Sequence, residues 1–305
     1  MKQRILVLDP EHFVGIRVRK ALSESDWAEP IAFSGAPSSL SHETLDGIQA
    51  IFNGTAGDPA AILSNARALY GTLTRLGSNV RVVHLSSMTV YGSFVGEAFE
   101  STSMRSDVGA YGAAHVEAES LATRYARSVT LRPGCEYGPH CGPWSERIGR
   151  LLSAHRLGDL GLAGDGMCNL LFINDLIAAV IACLRSPSTD GHCFNLAMRS
   201  PPTWNEYFIR FGRALGAVPI SRIGGRRLKI ETKVLAPPLK ALELLARPLR
   251  GWPLSLPPPI TPSLINLCSQ DITLNVDKAE HALEMRWTPL SNGLRRAAAS
   301  LNAPR

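Results

Sequence analysis

Residues 4–25, RILVLDPEHFVGIRVRKALSES, decide how the chain is read. Ile5 to Leu8 make a short apolar run, the pattern of a strand buried on both faces of a parallel sheet. After the turn DPEHFVG (9–15), Val14, Val18, Ala21 and Leu22 recur at helical spacing. A buried strand that leads through a turn into an amphipathic helix opens a βαβ unit.

The same rhythm continues outward. PIAFS (30–34) and QAIFNG (49–54) are further short strands, with no additional strand evident between them. Asp58-Pro59 starts a helix, the carboxylate as cap and the proline at the first helical position. Ile62, Leu63, Ala66, Leu69, Tyr70, Leu73 and Leu76 carry one apolar stripe to Gly77. VRVVHLSS (80–87) is a strand, a helix containing Tyr111 runs to about Tyr125, and SVTLRP (128–133) is a strand. The expected fold class is α/β: a Rossmann-type, doubly wound parallel sheet covered on both faces. Such sheets bind ligands outside the carboxyl ends of their strands. Ser86 and Ser87 end one strand, Gly134 to Gly138 follow another, and Tyr111 and His115 begin the helix between them.

Past residue 135 the pattern loosens. FINDLIAAVIACLRS (172–186) reads as a helix capped near Asp175, CFNLA (193–197) as a strand, and TWNEYFIRFGRALG (203–216) as a helix capped by Thr203. Residues 217–262 are rich in proline, which predicts irregular lid structure; apolar residues such as Trp204, Tyr207 and Trp252 either line a pocket or pack. The expected division is 1–134 plus about 165–197 as the Rossmann-type domain. About 135–164 and 198–305 form a small, discontinuous substrate domain with its lid.

Composition narrows the class. Of 305 residues 45% are apolar, and no run of about 18 apolar residues exists to span a membrane. The N-terminus lacks the pattern of a secretory leader, so a cytoplasmic protein is expected. Cys135, Cys141, Cys168, Cys183, Cys193 and Cys268 show neither a CxxC pair nor a metal-ligand rhythm, which predicts buried thiols and no metal site. The net charge of +6 comes without a basic run interleaved with aromatics, so no nucleic-acid partner is expected. The basic stretch 226–251 is amphipathic enough to meet a membrane or a partner, and equally fits a lid with a solvated charged side.

Five strings together identify a relationship: VVHLSSMTVYG (82–92), YGAAHVEAE (111–119), LRPGCEYGP (131–139), AGDGMCNLLFINDLIAAV (163–180) and NVDKAEHALEMRWTPL (275–290). In this order they resemble the extended short-chain dehydrogenase/reductase family, the NAD-dependent epimerases and dehydratases. The resemblance covers nearly the whole chain. It implies a Rossmann domain with a small carboxyl-terminal substrate domain, and a homodimer joined by helices at about 58–76 and 111–126. It also implies proton and hydride transfer, with tyrosine as acid/base, serine bonded to the substrate oxygen, and lysine lowering the tyrosine pKa. By motif, Ser87 matches the serine and Tyr111 the tyrosine. His115 stands where the family has lysine. An imidazole with an ordinary pKa near 6.5 is mostly uncharged at neutral pH, so His115 is expected to relay a proton with an inflection near pH 6–7.

The cofactor signals also depart from the family. Its first turn is Gly-x-x-Gly-x-x-Gly, where backbone meets the pyrophosphate at a helix amino end. Here Asp9 and His12 fill the first two glycine positions and only Gly15 remains. Pro10 removes an N–H, and Asp9 and Glu11 add negative charge. Two like charges about 4 Å apart at an effective dielectric of about 20 repel by roughly 4 kcal/mol, about a thousandfold in affinity. On this reading no cofactor is favoured. If NAD or NADP binds, Gly15, Ser34 at the end of the second strand, Pro133 and Tyr137 are the cofactor residues. Cys168-Asn169-Leu170 stands near the place where many nucleotide-sugar enzymes of the family have arginine, which argues against a nucleotide sugar.

The expected function is an enzyme on a small-molecule substrate that uses Ser87, Tyr111 and His115 for proton transfer without redox, as an isomerase, dehydratase or cyclase. The alternatives are an NAD(P)-dependent epimerase or reductase with an atypical phosphate loop, and a non-catalytic ligand-binding or scaffold protein.

Overall fold

The computed structural model describes residues 2–55, 57–235, 238 and 258–303. Trp252 and most of the basic, proline-rich 226–262 region lie outside the described residues. Two compact units are present. The first comprises Met1–Gly134, Asn174–Ala197 and Leu274–Trp287, the second Cys135–Ile173, Met198–Thr273 and Thr288–Arg305.

In the first unit β1 (Gln3–Leu8), β2 (Ala28–Phe33), β3 (Ile48–Asn53), β4 (Arg81–Leu85), β6 (Ser128–Pro133) and β9 (Cys193–Leu196) form a parallel sheet in the order β2-β1-β3-β4-β6-β9. The short strand β5 (Gly96–Ala98) follows β4 in the chain. The sheet order turns back at β1, which lies between β2 and β3, so the crevice outside its carboxyl end is a topological switch point. That end leads into the Asp9–Gly15 turn and α1 (Phe13–Ser23). Only a short 3₁₀ turn, Pro37–Ser39, and α2 (His42–Leu45) separate β2 from β3.

α3 (Pro59–Arg75) begins as its sequence predicts, with Asp58 accepting the Ala61 N–H at 2.8 Å. Its stripe of Ile62, Ala66, Leu69, Tyr70 and Leu73 packs with Ala114, Ala118 and Ala122 of α4 (Gly109–Thr123) over Leu6, Leu8, Ile51 and Val82 of the sheet. Alanines on the α4 side let the two helices lie close. At the sheet's other end Arg81 closes α6 (Ile173–Arg185). It donates to the carbonyls of Leu184 (3.1 Å), Cys183 (2.9 Å) and Ser186 (2.8 Å), where a helix has unsatisfied acceptors.

The second unit pairs β7 (Cys135–Tyr137) with β8 (Leu170–Phe172) in parallel, Cys135 opposite Leu170 and Tyr137 opposite Phe172. This pairing places 165–173 in the second unit, where the sequence reading put it in the first. The 274–287 segment, in turn, belongs to the first unit: Asn275 N donates to Ala98 O at 2.9 Å, and Asn195 Nδ2 to Asn275 O at 3.2 Å. α5 (Arg147–Ser153) and α7 (Trp204–Leu215) complete the core of the second unit, α7 starting at a capping box of Thr203 and Glu206. Among the described residues no helix is long and apolar enough to cross a membrane.

Candidate active site

β4 ends at Leu85, and Ser86 and Ser87 follow at the carboxyl edge of the sheet. Their side chains take different partners. Ser86 is buried and donates to Glu119 Oε2 at 2.8 Å. Ser87 caps the 3₁₀ turn Met88–Tyr91, its Oγ accepting the Thr89 N–H at 3.2 Å. That bond uses acceptor capacity and leaves the Ser87 hydroxyl proton to donate elsewhere.

α4 is laid directly on this turn. A Cβ at Gly112 would come within 3.0 Å of the Thr89 carbonyl oxygen, so glycine permits the approach. Tyr111, in the first turn of α4, is thereby set beside the Ser87 turn. It is 42% exposed, whereas His115, one turn on, is 3% exposed. The two rings meet edge to face with centroids 4.6 Å apart.

A buried ionic network fixes the next turn of α4. Arg132 Nε donates to Glu119 Oε1 at 2.9 Å and to Oε2 at 3.1 Å, and Arg132 Nη1 to Tyr91 Oη at 2.8 Å. The Tyr91 hydroxyl donates to Asn195 Oδ1 at 2.6 Å. Asn195 Nδ2 reaches Ala98 O at 3.0 Å, and its backbone N–H reaches Glu100 Oε1 at 2.9 Å. Glu119 thus ties α4 to the end of β4 through Ser86 and to β6 through Arg132, while Tyr91 carries the chain on to β9. Glu119, Arg132, Tyr91 and Asn195 hold α4 against the strand ends beside the candidate site, and sequence reading did not single them out. The available signal was spacing: Tyr111, His115 and Glu119 fall on one helical face.

His115 differs electrostatically from the expectation. Burial, reinforced by His84 and opposed by Glu119, pushes its pKa down to about 4. Burial also lowers His84 to about 4. At neutral pH both rings are uncharged, so the inflection expected near pH 6–7 moves to about pH 4, and His115 supplies no lysine-like charge.

The phosphate turn keeps more of a dinucleotide site than its residues suggest. Asp9 holds the left-handed conformation with φ 52°, a backbone state glycine adopts freely. Gly15 approaches it so closely that a Cβ there would lie 2.4 Å from Asp9 O. No side chain caps α1, and His12 Nδ1, at its N-cap position, is buried without a protein partner. Glu11 is engaged by Arg19 at 2.9 Å, so its charge is offset locally. The turn's shape, the uncapped helix amino end and the orphaned His12 nitrogen fit a phosphate group.

The other anticipated cofactor residues separate. Ser34 is exposed just past β2 and Pro133 is buried at the end of β6. Tyr137 lies in the second unit with 1% exposure, its ring 5.5 Å from that of Phe172. Trp204 and Tyr207 are 1% and 0% exposed, and with Phe208 and Phe211 they form that unit's aromatic core. Asn169 is buried and donates to Ile272 O at 2.7 Å.

A family model described as the NAD dependent epimerase/dehydratase family matches residues 34–197. The chain belongs to this family. The match begins after the Asp9–Gly15 turn. Among solved structures, UDP-glucuronic acid 4-epimerase from Bacillus cereus in complex with NAD is similar at 15% identity, covering 98% of each chain, with a TM-score of 0.71. RMD from Pseudomonas aeruginosa with NADPH is 15% identical over 98% of this chain and 99% of that one, TM-score 0.69. dTDP-glucose 4,6-dehydratase from Bacillus anthracis with NAD is 15% identical over 98% and 96%, TM-score 0.69. No curated protein matches the chain. The expectation that no cofactor is favoured is overturned, since these neighbours of the same fold hold NAD or NADPH. At the turn itself Asp9 adopts a glycine-like backbone state and Arg19 offsets Glu11, features that the residue types alone did not reveal.

Proposed function

We propose that the protein is a nicotinamide-dinucleotide-dependent epimerase, dehydratase or reductase of a small metabolite, with Ser87, Tyr111 and His115 as its proton-handling residues. The close seating of α4 on the Ser87 turn through Gly112 and Thr89 O supports this reading most directly. The amino end of α1 with His12 and Gly15 would hold the dinucleotide phosphates, Ser34 a ribose hydroxyl, and Pro133 would border the nicotinamide side. The bound cofactor supplies hydride acceptance and return. Ser87, its oxygen already accepting from Thr89, donates its hydroxyl to a substrate carbonyl or hydroxyl oxygen. Tyr111 transfers its phenolic proton to that oxygen. His115, neutral at pH 7, lends the phenol no positive charge; Tyr111 gives its proton to the substrate oxygen where a carbonyl is reduced and takes the hydroxyl proton where an alcohol is oxidised. The six free cysteines suit a reducing, cytoplasmic setting.

A homodimer through α3 and α4 remains part of the proposal on family likeness. The buried members of their apolar stripes belong to the first unit's own core. Sedimentation at tens of micromolar decides it: a monomer removes that part. The cofactor is tested by calorimetric titration with NAD, NADH, NADP and NADPH. Micromolar binding of one pair is expected, and failure of all four to bind below about 1 mM, roughly −4 kcal/mol, would refute the reading.

A further inference from the structure

Tyr111 meets the His115 ring edge to face, and His84 of β4 acts electrostatically on His115. His84 of β4 and His115 of α4 are each 3% exposed. The groups around them are Asn53 of β3, Tyr70 of α3 (ring centroid 5.8 Å from that of His84), Tyr111, and the Glu119 carboxylate further along α4.

Asn53 Oδ1 accepts from Thr55 Oγ1 at 3.0 Å, and the Asn53 amide faces His84 Nδ1 with Nδ2, 3.2 Å away. With the amide so oriented Nδ1 accepts, and in the neutral ring the proton sits on Nε2. That Nε2–H is buried with no protein partner, and so are Nδ1 and Nε2 of His115. Buried polar atoms of this kind take a partner. Because burial keeps both rings neutral, the fitting partner is itself neutral and both accepts and donates: it accepts from His84 Nε2–H and donates to a His115 nitrogen.

We propose that His84 is a positioning residue of the active site: together with His115 it binds one hydroxyl group, from a buried water or from a ligand, and this bridge selects the tautomer and orientation of His115 beneath Tyr111. The inference rests on the Ser87–Tyr111–His115 reading and extends it to a residue that no motif marks. It replaces a fixed ammonium with a neutral bridge whose integrity depends on β4.

The test is nuclear magnetic resonance of the full chain with ¹⁵N-labelled histidine. At pH 7 His84 is expected as the Nε2–H tautomer and His115 as a single tautomer, with Overhauser contacts from slowly exchanging water to both rings. If the hydroxyl belongs to a ligand, the water contacts are missing and His115 settles into one tautomer only when NAD is added. Mixed His115 tautomers both with and without NAD overturn the proposal. Two variants separate positioning from packing. His84→Gln keeps an N–H near the Nε2 position, whereas His84→Asn keeps a group near Nδ1 for Asn53 and nothing near Nε2. His84→Gln should preserve the single His115 tautomer, and His84→Asn should lose it and move the His115 titration up by about half a pH unit or more. The reverse pattern, or His115 signals unchanged in both variants, also overturns the idea. If neither variant folds, the wild-type tautomer and water contacts decide alone. Calorimetric NAD binding reports separately on the parent reading, so the two can fail independently.

Discussion

The two buried histidines predict how the first unit responds to acid. A histidine whose pKa falls from 6.5 unfolded to about 4 folded leaves the unfolded chain holding the extra proton between those values. Its stabilisation is complete above pH 6.5 and is lost as pH falls through 4. At about 1.4 kcal/mol per pH unit, each ring contributes ~3 kcal/mol in full. Between pH 7 and pH 5 each loses about 2 kcal/mol, and the pair loses about 4 kcal/mol, against a typical total of 5–15 kcal/mol. Glu136 in the second unit works the other way. Burial raises its carboxyl to about 7, so its contribution is present at low pH and lost as pH rises through 7. Raw wild-type curves are therefore flattened, and the informative quantity is a difference. Guanidinium unfolding at pH 7, 6 and 5 should be compared between wild type and the double variant His84→Gln, His115→Gln, which cannot titrate in this range. From pH 7 to pH 5 the variant's change in stability should differ from the wild type's by about 4 kcal/mol, towards greater relative stability of the variant at pH 5. Curves that run parallel to within about 1 kcal/mol would show that the imidazoles are not held neutral by burial.

Three further outcomes are expected. Glu119→Gln strips the charge partner from buried Arg132 and should cost about 3–5 kcal/mol in denaturant unfolding; a loss under 1 kcal/mol would mean that the ion pair does not anchor α4. Tyr111→Phe should lower turnover of a substrate found by metabolite screening about 100-fold with little change in stability, and unchanged turnover would remove Tyr111 from the chemistry. Gly15→Ala forces a methyl group to within 2.4 Å of Asp9 O and should weaken NAD binding at least about tenfold, roughly 1.4 kcal/mol; equal affinity by calorimetry would place the phosphates elsewhere.

The sheet was legible because its evidence is local. Strands covered on both faces need short apolar runs, and SVTLRP is the strand Ser128–Pro133 residue for residue. The Asp58 cap and the Thr203 capping box were readable for the same reason, since each joins residues three apart. Long-range partnerships were not. Glu119 meets Arg132 across 13 positions, and Tyr91 meets Asn195 across 104, so only the closed sheet brings them together. The Glu11–Arg19 pair was hidden similarly: Glu11 lies outside the helix, and a separation of eight is no helical neighbour rule. The return of 274–287 to the first unit depends on bonds to residues near 98 and 195, which no periodicity foretells.

The site shows where such reading stops in chemical terms. The strings that carried the family resemblance owe part of their specificity to scaffolding: Tyr91 of SSMTVYG and Arg132 of LRPGCEYGP sit in the network that holds α4. A motif match therefore reports that the helix is correctly placed before it reports chemistry. What His115 does is set by its surroundings, namely burial, the second imidazole on β4 and a carboxylate already engaged by Arg132. Of these, only Glu119 shares its helix. Alternation along the chain puts Val82, His84 and Ser86 on one face, so the strand that leads to Ser87 also carries the imidazole that acts on His115. His84 lies 31 residues upstream of His115, and what either ring does is visible only when strand and helix are packed together.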